Sequence, residues 1–372
     1  MRKIIFRKLI LIFIYLIAIV CFSELVLRFI IHPQNKFYLW SPSRKYIFKP
    51  YPGVMPGVGN RAIFQINSDG VRGDELTSKS SFNILAIGGS TTECLYIDQW
   101  KSWPYILQKN LSALFKQNVW VGNLGRSGLS TTGNLIEMKY LLPQYRQVDL
   151  ILVLAGFNDF QSSLLNTFIQ NSYKSDREKI EMVFVGRPPK ERAKFYENSV
   201  LWSIVKKTII YYFQKDNKEI VEDSVGSWYI GARNDRKRAL EICNNLPDLS
   251  ISLKIFENNI NEIIDLAKKR SIRIIFVTQP SIWKNNLTAS EKDLLWFGFT
   301  ADKRKYYSIE ALAAGLKKFN SRLMEACKKR NIEYIDLTDS LPQDTSVFYD
   351  DVHFNESGCL KVAEVITSYL AK

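Results

Sequence analysis

The residues Asn83-Ile84-Leu85-Ala86-Ile87-Gly88-Gly89-Ser90-Thr91-Thr92-Glu93 pass from an unbroken apolar run into two glycines and a serine. The run from Phe82 to Ile87 is shorter than a typical globular helix and rich in large aliphatics, so it reads as a buried strand that ends at Gly88. A strand that stops on Gly-Gly-Ser puts a hydroxyl at the C-terminal edge of a sheet, where open α/β folds carry their chemistry. Ser90 is thus a candidate nucleophile. The plainer reading of the same serine is the N-cap of the following helix, a role Thr91 or Thr92 would share.

A serine hydroxyl is a weak nucleophile near neutral pH. It needs a base to remove its proton and donors to hold the oxyanion that forms. The chain has two histidines, His32 and His353. His32 follows a membrane-type apolar segment, which leaves His353, in Asp350-Asp351-Val352-His353-Phe354. A carboxylate three residues before a histidine can fold back on the imidazole and fix its tautomer. Two further stretches fit the donor role. Val148 to Leu154 reads as a second buried strand running into Ala155-Gly156-Phe157-Asn158-Asp159, which would set Asn158 on the same sheet edge as Ser90. Val119 to Leu124 is a shorter strand followed by Gly125-Arg126-Ser127-Gly128, where a glycine lets a backbone N–H come close to a ligand.

Gly-Gly-Ser-Thr, Asn-Leu-Gly-Arg-Ser-Gly, Gly-Phe-Asn-Asp and Asp-Asp-Val-His-Phe, in that order, resemble the four sequence blocks of the SGNH (GDSL-type) serine hydrolases, over roughly Phe82 to the C-terminus. The resemblance implies Ser90 as nucleophile, His353 as base and Asp350 as its orienting acid. It also implies an oxyanion hole made by the Ser90 N–H, the Gly128 N–H and the Asn158 side-chain amide. Asp351 is the alternative acid, because spacing does not separate adjacent carboxylates. One departure is visible: the commoner Gly-Asp-Ser is here Gly-Gly-Ser, with Gly89 in place of an acid that is not a triad member. The implied reaction attacks an acyl or acetyl ester of a lipid or cell-surface glycan and passes through an acyl-enzyme. Water as acceptor gives an esterase, and a sugar hydroxyl gives an acyltransferase. The competing class is a non-catalytic envelope protein that keeps the fold to bind glycan or scaffold an assembly.

The chain has 372 residues, 46% hydrophobic and 13% aromatic, which is enough for one large domain with additions and excludes a disordered protein. Arg2, Lys3, Arg7 and Lys8 precede Leu9 to Ser23, which carry no charge; apolar character then continues to Ile31, interrupted by Glu24 and Arg28. As a helix, Leu9 to Ile31 is long enough to span a bilayer. No small-residue cleavage site follows it, so it reads as an uncleaved anchor with the basic end in the cytoplasm and the rest exported to the periplasmic or extracellular side. This divides the chain into a basic tail and anchor at 1–33, an extended connector at 34–81 and a hydrolase domain at 82–372. Within the connector, Ile66 to Gly73 has clear turn chemistry at Asn67, Asp69 and Gly70, and Arg72 is read as a structural ion-pair partner ahead of a contact to an anionic substrate.

After Ser90, Trp103-Pro104 opens a helix to about Lys116, proline suiting the first helical position. Phe256, Ile260, Ile263 and Ala267 share a helix face before the strand Ile272 to Val277. Leu312, Leu316, Asn320, Leu323 and Cys327 share another before the strand Ile332 to Leu337, and a closing helix runs from Gly358 to Leu370. The alternation predicts an α/β fold: a three-layer α/β/α arrangement on a central parallel sheet, flavodoxin-like, behind the N-terminal transmembrane helix. The family pattern leaves an insertion at about 160–249 unmatched. It starts beside Asn158 and holds Trp202, Tyr211, Tyr212, Phe213, Trp228 and Tyr229, which suit either a lid and substrate wall or the insertion's own small core; Trp296, Phe297 and Phe299 carry the same two readings.

The five cysteines, Cys21, Cys94, Cys243, Cys327 and Cys359, have neither zinc-site spacing nor a dense disulfide pattern, so no metal or other cofactor is expected. An odd count outside the cytosol leaves at least one thiol free. Cys94 reads as a small buried residue, with lining of the site as the alternative. The net charge of +14 is spread along the chain without a nucleic-acid-binding motif, so nucleic acid is not an expected partner. The membrane, or an acidic surface polymer, accounts for the charge more simply.

Overall fold

The aliphatic runs become strands that lie side by side. In chain order the strands are β1 (Lys45–Pro50), β2 (Ala62–Gln65), β3 (Phe82–Gly88), β4 (Val119–Asn123), β5 (Leu150–Leu154), β6 (Glu219–Val225), β7 (Glu241–Cys243), β8 (Arg273–Val277), β9 (Lys305–Tyr307) and β10 (Glu333–Ile335). The structure is a computed structural model that describes residues 2–30, 37–185, 199, 201–202, 204–205, 219–300 and 304–372. His32, Tyr211, Tyr212 and Phe213 lie outside the described residues.

The central sheet has the order β10-β8-β5-β3-β4 and is parallel throughout. Numbered along the chain, that is the 2-1-3-4-5 order of doubly wound folds, and the reversal of direction opens a crevice at the C-terminal ends of β3 and β5. Register brings the ends level, with Gly88 beside Leu154 and Leu154 beside Val277. β4 and β5 are buried at every residue, as a sheet covered on both faces requires. On one face the helix Trp103–Phe115 packs against Glu356–Leu370. On the other, Ser250–Lys269 lies between Thr131–Tyr140 and Ile309–Arg330. The expected stripes Phe256, Ile260, Ile263, Ala267 and Leu312, Leu316, Leu323, Cys327 are all buried, and each large side chain so removed from water contributes about 1.5–3 kcal/mol.

The stretch expected as an extended connector is not extended along its length. Residues 38–81 belong to the same compact unit as the sheet, and they carry β1 and β2. β1 runs antiparallel to β2 and parallel to β6, a strand of the insertion, in the order β2-β1-β6. Phe48, Ala62, Phe64 and Ile66 form its core, with Trp40, Tyr46 and Tyr96 packed on it. Aromatic burial of this kind is what turns a Pro- and Gly-containing stretch into a folded layer.

Arg72 ends this layer and is buried, 1% exposed. Its Nε donates to Gln99 Oε1 (3.0 Å), Nη2 to the Ile97 carbonyl (2.7 Å), and Nη1 to the carbonyls of Cys94 (2.7 Å) and Glu93. The guanidinium therefore clamps the turn that follows Ser90, the structural role expected for it, through carbonyls in place of an ion pair.

The remaining unit comprises residues 1–37 and 187–218. It contains the helix Arg2–Ile30, in which the 23 residues Ile5–Leu27, with a mean hydropathy of 2.8 over their most apolar 18 residues, are long and apolar enough to cross a membrane. Glu24, near the far end, accepts hydrogen bonds from Ser199 Oγ (2.8 Å) and the Leu201 N–H (3.0 Å).

Two stability measurements follow from the buried polar groups. Arg72→Ala leaves its acceptor carbonyls unpaired and is expected to cost about 3 kcal/mol or more, seen as a lower urea midpoint. Glu137, buried in the helix Thr131–Tyr140, is pushed by burial up to about 8, against a hydrogen bond from Asn134. A carboxyl whose folded value lies above its unfolded value keeps its proton longer in the folded state. Stability is then full below about pH 4.5 and falls as pH rises toward 8, by several kcal/mol in order of magnitude. Glu137→Gln is expected to flatten that slope and to be more stable than the parent at pH 8; equal slopes for the two proteins would contradict it.

Candidate active site

β3 stops at Gly88 because the chain must turn sharply there, and Ser90 opens the short helix Ser90–Glu93 at the sheet edge. The loop after β10 brings His353 to the same place, although 263 residues separate the two. His353 Nε2 lies 2.8 Å from Ser90 Oγ, and His353 Nδ1 lies 2.6 Å from Asp350 Oδ2. Asp350 is wholly buried, and its Oδ1 accepts the backbone N–H groups of Val352 (3.0 Å) and His353 (2.8 Å). Burial works against its charge, but the imidazole and these hydrogen bonds outweigh that and bring its pKa down to about 2. For His353, burial disfavours the imidazolium, and the Asp350 carboxylate, aided by Asp351, more than compensates, so its pKa sits above the ordinary value. Nδ1 then carries a proton toward Asp350 and Nε2 faces Ser90 as the acceptor.

Of the two adjacent carboxylates, only Asp350 meets the imidazole. Asp351 turns the other way: Oδ1 accepts from Trp283 Nε1 (2.8 Å), and Oδ2 accepts the N–H groups of Trp296 (2.9 Å) and Phe297 (3.2 Å). It ties the histidine loop to the segment after β8.

Asn158, in the first turn of the helix Phe157–Leu164 that follows β5, donates from Nδ2 to the Leu129 carbonyl at 2.9 Å. A carbonyl partner fixes which amide atom is nitrogen and leaves its second N–H for another acceptor. A Cβ built on Gly89 would stand 2.0 Å from this Nδ2, so the missing side chain at position 89 makes room for the amide. Gly128 has φ +80, a left-handed turn that favours glycine, with open space around its Cβ position. Next to it Ser127 Oγ donates to Glu93 Oε2, and burial, opposed by this bond, raises Glu93 to about 7. Ser90, Gly128, Asn158 and His353 all border one cavity of about 250 Å³.

Tyr349 is a residue of this site that the sequence did not single out, and the contacts of Tyr229 and Trp296 with Asp350 had no signature there either. Tyr229 O–H (2.8 Å) and Trp296 Nε1 (3.0 Å) both donate to Asp350 Oδ2, and the Tyr349 ring lies parallel to the imidazole at 5.5 Å. Trp228, Tyr229 and Trp296 were visible as aromatics of open role; their reach to a carboxylate had no signature in spacing. Cys94 is buried with its Sγ 3.8 Å from that of Cys359 and is absent from the cavity lining. Asp159 accepts from the Thr131 N–H (3.0 Å) and Oγ1 (2.5 Å), which holds the start of the helix Thr131–Tyr140 beside the Gly128 turn. Among the described residues no cluster of His, Cys, Asp or Glu has the arrangement of a metal site.

Residues 86–359 match the model of the GDSL-like lipase/acylhydrolase family. Among solved structures, the chain is similar to a member of the lipolytic G-D-S-L family from Veillonella parvula, with 13% identity and a TM-score of 0.43 over 78% of this chain and 100% of that one. It is also similar to an acetylxylan esterase from Geobacillus stearothermophilus (12%, 0.42, over 79% of this chain and 95% of that one) and to a carbohydrate acetylesterase from Sinorhizobium meliloti (11%, 0.40, over 78% and 99%). No curated protein matches it in sequence. With about three quarters of its length under the family model, and the family's four blocks meeting at one sheet edge, the chain belongs to the GDSL-like (SGNH) lipases and acylhydrolases.

Proposed function

We propose that this chain is a membrane-anchored serine esterase acting on an acyl or acetyl ester of a lipid or cell-surface glycan. The observation that carries the reading is the 2.8 Å approach of His353 Nε2 to Ser90 Oγ, with Asp350 behind the imidazole at 2.6 Å. Ser90 Oγ attacks the ester carbonyl carbon while His353 Nε2 takes its proton, and Asp350 holds the imidazolium that forms. The tetrahedral oxyanion is held by the N–H groups of Ser90 and Gly128 and by Asn158 Nδ2. Collapse breaks the bond to the alcohol, which leaves with the proton from His353, and the acyl group remains on Ser90. Water, deprotonated by His353, releases the acid; a sugar hydroxyl entering instead makes the step an acyl transfer.

The cavity supports a small, uncharged ester. Its volume of about 250 Å³ lies below the roughly 300–1,000 Å³ of pockets that enclose drug-sized ligands. Phe157, Trp228 and Trp296 wall it, and no Asp, Glu, Lys or Arg is among the described lining residues. Flat aromatic walls suit a sugar face or a short acyl group better than a charged alcohol. The apolar helix supports anchoring through residues 1–33, with the basic end in the cytoplasm and the catalytic unit exported.

The full chain in detergent, assayed on aryl acetate, butyrate and octanoate, tests this. Turnover is expected to favour the short esters and to fall about 10³-fold or more in Ser90→Ala and His353→Ala with the circular dichroism unchanged. Asn158→Ala is expected to lose about 10²–10³-fold in kcat. Undiminished turnover in Ser90→Ala, or none in the parent on any ester, would sink the proposal. Separately, Gly89→Ala is expected to displace the Asn158 amide and to lower kcat by an amount similar to Asn158→Ala, with KM little changed; full activity in that variant would remove Asn158 from the oxyanion site.

A further inference from the structure

Five donors surround Asp350, and they differ in origin. The Val352 and His353 N–H groups and His353 Nδ1 belong to the Asp-x-x-His loop itself. The other two do not. Tyr229 lies in the helix Trp228–Lys237, inside the insertion that the family blocks leave unmatched, and Trp296 lies in the segment after β8. Both aim a neutral N–H or O–H at Oδ2, the oxygen that also meets the imidazole. Both are held by aromatic packing: Trp228 stacks on Tyr229 at 3.9 Å and meets Trp296 edge-on at 5.0 Å, and Arg233 covers the Tyr229 ring at 5.1 Å.

Resting on the assignment of Ser90, His353 and Asp350 above, we propose that Tyr229 and Trp296 are positioning residues that divide the charge on Asp350 Oδ2 and so set the basicity of His353. A carboxylate oxygen bonded to imidazole alone directs its whole charge at the ring and favours the imidazolium. Each additional neutral donor draws part of that charge away, and in a buried site little solvent screens the difference. The two aromatics thereby keep His353 unprotonated, and able to take the Ser90 proton, at a lower pH than the loop alone would allow. Burial and the Asp350 charge hold the Tyr229 phenol well above its ordinary pKa, so it stays a donor. The other groups facing the pair are Asp351 and Cys94 toward His353, Arg233 and Tyr349 toward Asp350, and Arg236 toward Asp351; the test alters none of them.

The full chain in detergent, carrying His32→Gln, has His353 as its one histidine, and ¹³C-histidine labelling lets its titration be followed without substrate. Tyr229→Phe and Trp296→Phe are each expected to raise the His353 pKa by about half a unit or more. The acid limb of the kcat/KM profile should move to higher pH by the same amount, with the rate lost near pH 6 recovered near pH 9 and KM unchanged. Replacing Tyr229 by 3-fluorotyrosine, nearly the same shape and a stronger donor, should move the titration the opposite way. A His353 pKa that stays put in the folded phenylalanine variants, a fluorotyrosine shift upward, or a rate loss that alkaline pH does not restore would overturn the proposal. Should the phenylalanine variants unfold, the fluorotyrosine protein decides alone. A parent without esterase turnover would defeat the esterase reading while the titration still judged the role of Tyr229 and Trp296.

Discussion

A full negative charge at Asp350, out of contact with water, has to be solvated by the protein itself. Burying a carboxylate costs several kcal/mol unless donors replace the lost water. Here they come from three separate parts of the chain: the loop 350–353, the helix at 228–237 and the segment around Trp296. Once those segments converge, the position of the imidazole is fixed from behind, and Ser90 meets it because β3 ends in the crevice that the sheet order creates. The aromatic wall of the cavity follows from the same requirement, since Tyr229 and Trp296 can reach the carboxylate only by lying beside the site.

Asp351 shows how the neighbouring position is used for a different purpose. Its carboxylate is also buried, and burial and the Asp350 charge raise its pKa while Arg236 opposes them. It accepts only from Trp283, Trp296 and Phe297. Trp296 therefore binds one carboxylate by its backbone and the other by its indole, which locks the segment after β8 to the histidine loop.

The central sheet was legible because its strands are unbroken aliphatic runs and its helices repeat apolar residues at three and four positions, as in Phe256, Ile260, Ile263 and Ala267. The four motif blocks were legible because they sit where those strands end. β6 was not, since Glu219-Ile-Val-Glu-Asp-Ser-Val is short, acidic and mostly exposed, and its partner β1 lies some 170 residues away. The layer made by 38–81 was hidden for the same reason: aromatics such as Phe48 and Phe64 reveal a core only once their partners are known. The choice between Asp350 and Asp351 depends on which way a loop turns, and two adjacent residues with the same side chain give no periodicity to read.

The contact between Gly89 and the Asn158 amide also bears on how such a site can evolve. A glycine codon can become an aspartate codon by a single base change, so the commoner Gly-Asp-Ser spelling lies one step away. In this backbone that step would drive a Cβ into an amide 2.0 Å distant. Positions 89 and 158 are therefore coupled: a side chain at 89 requires the Asn158 amide to shift, so changes at the two positions are not expected to act independently.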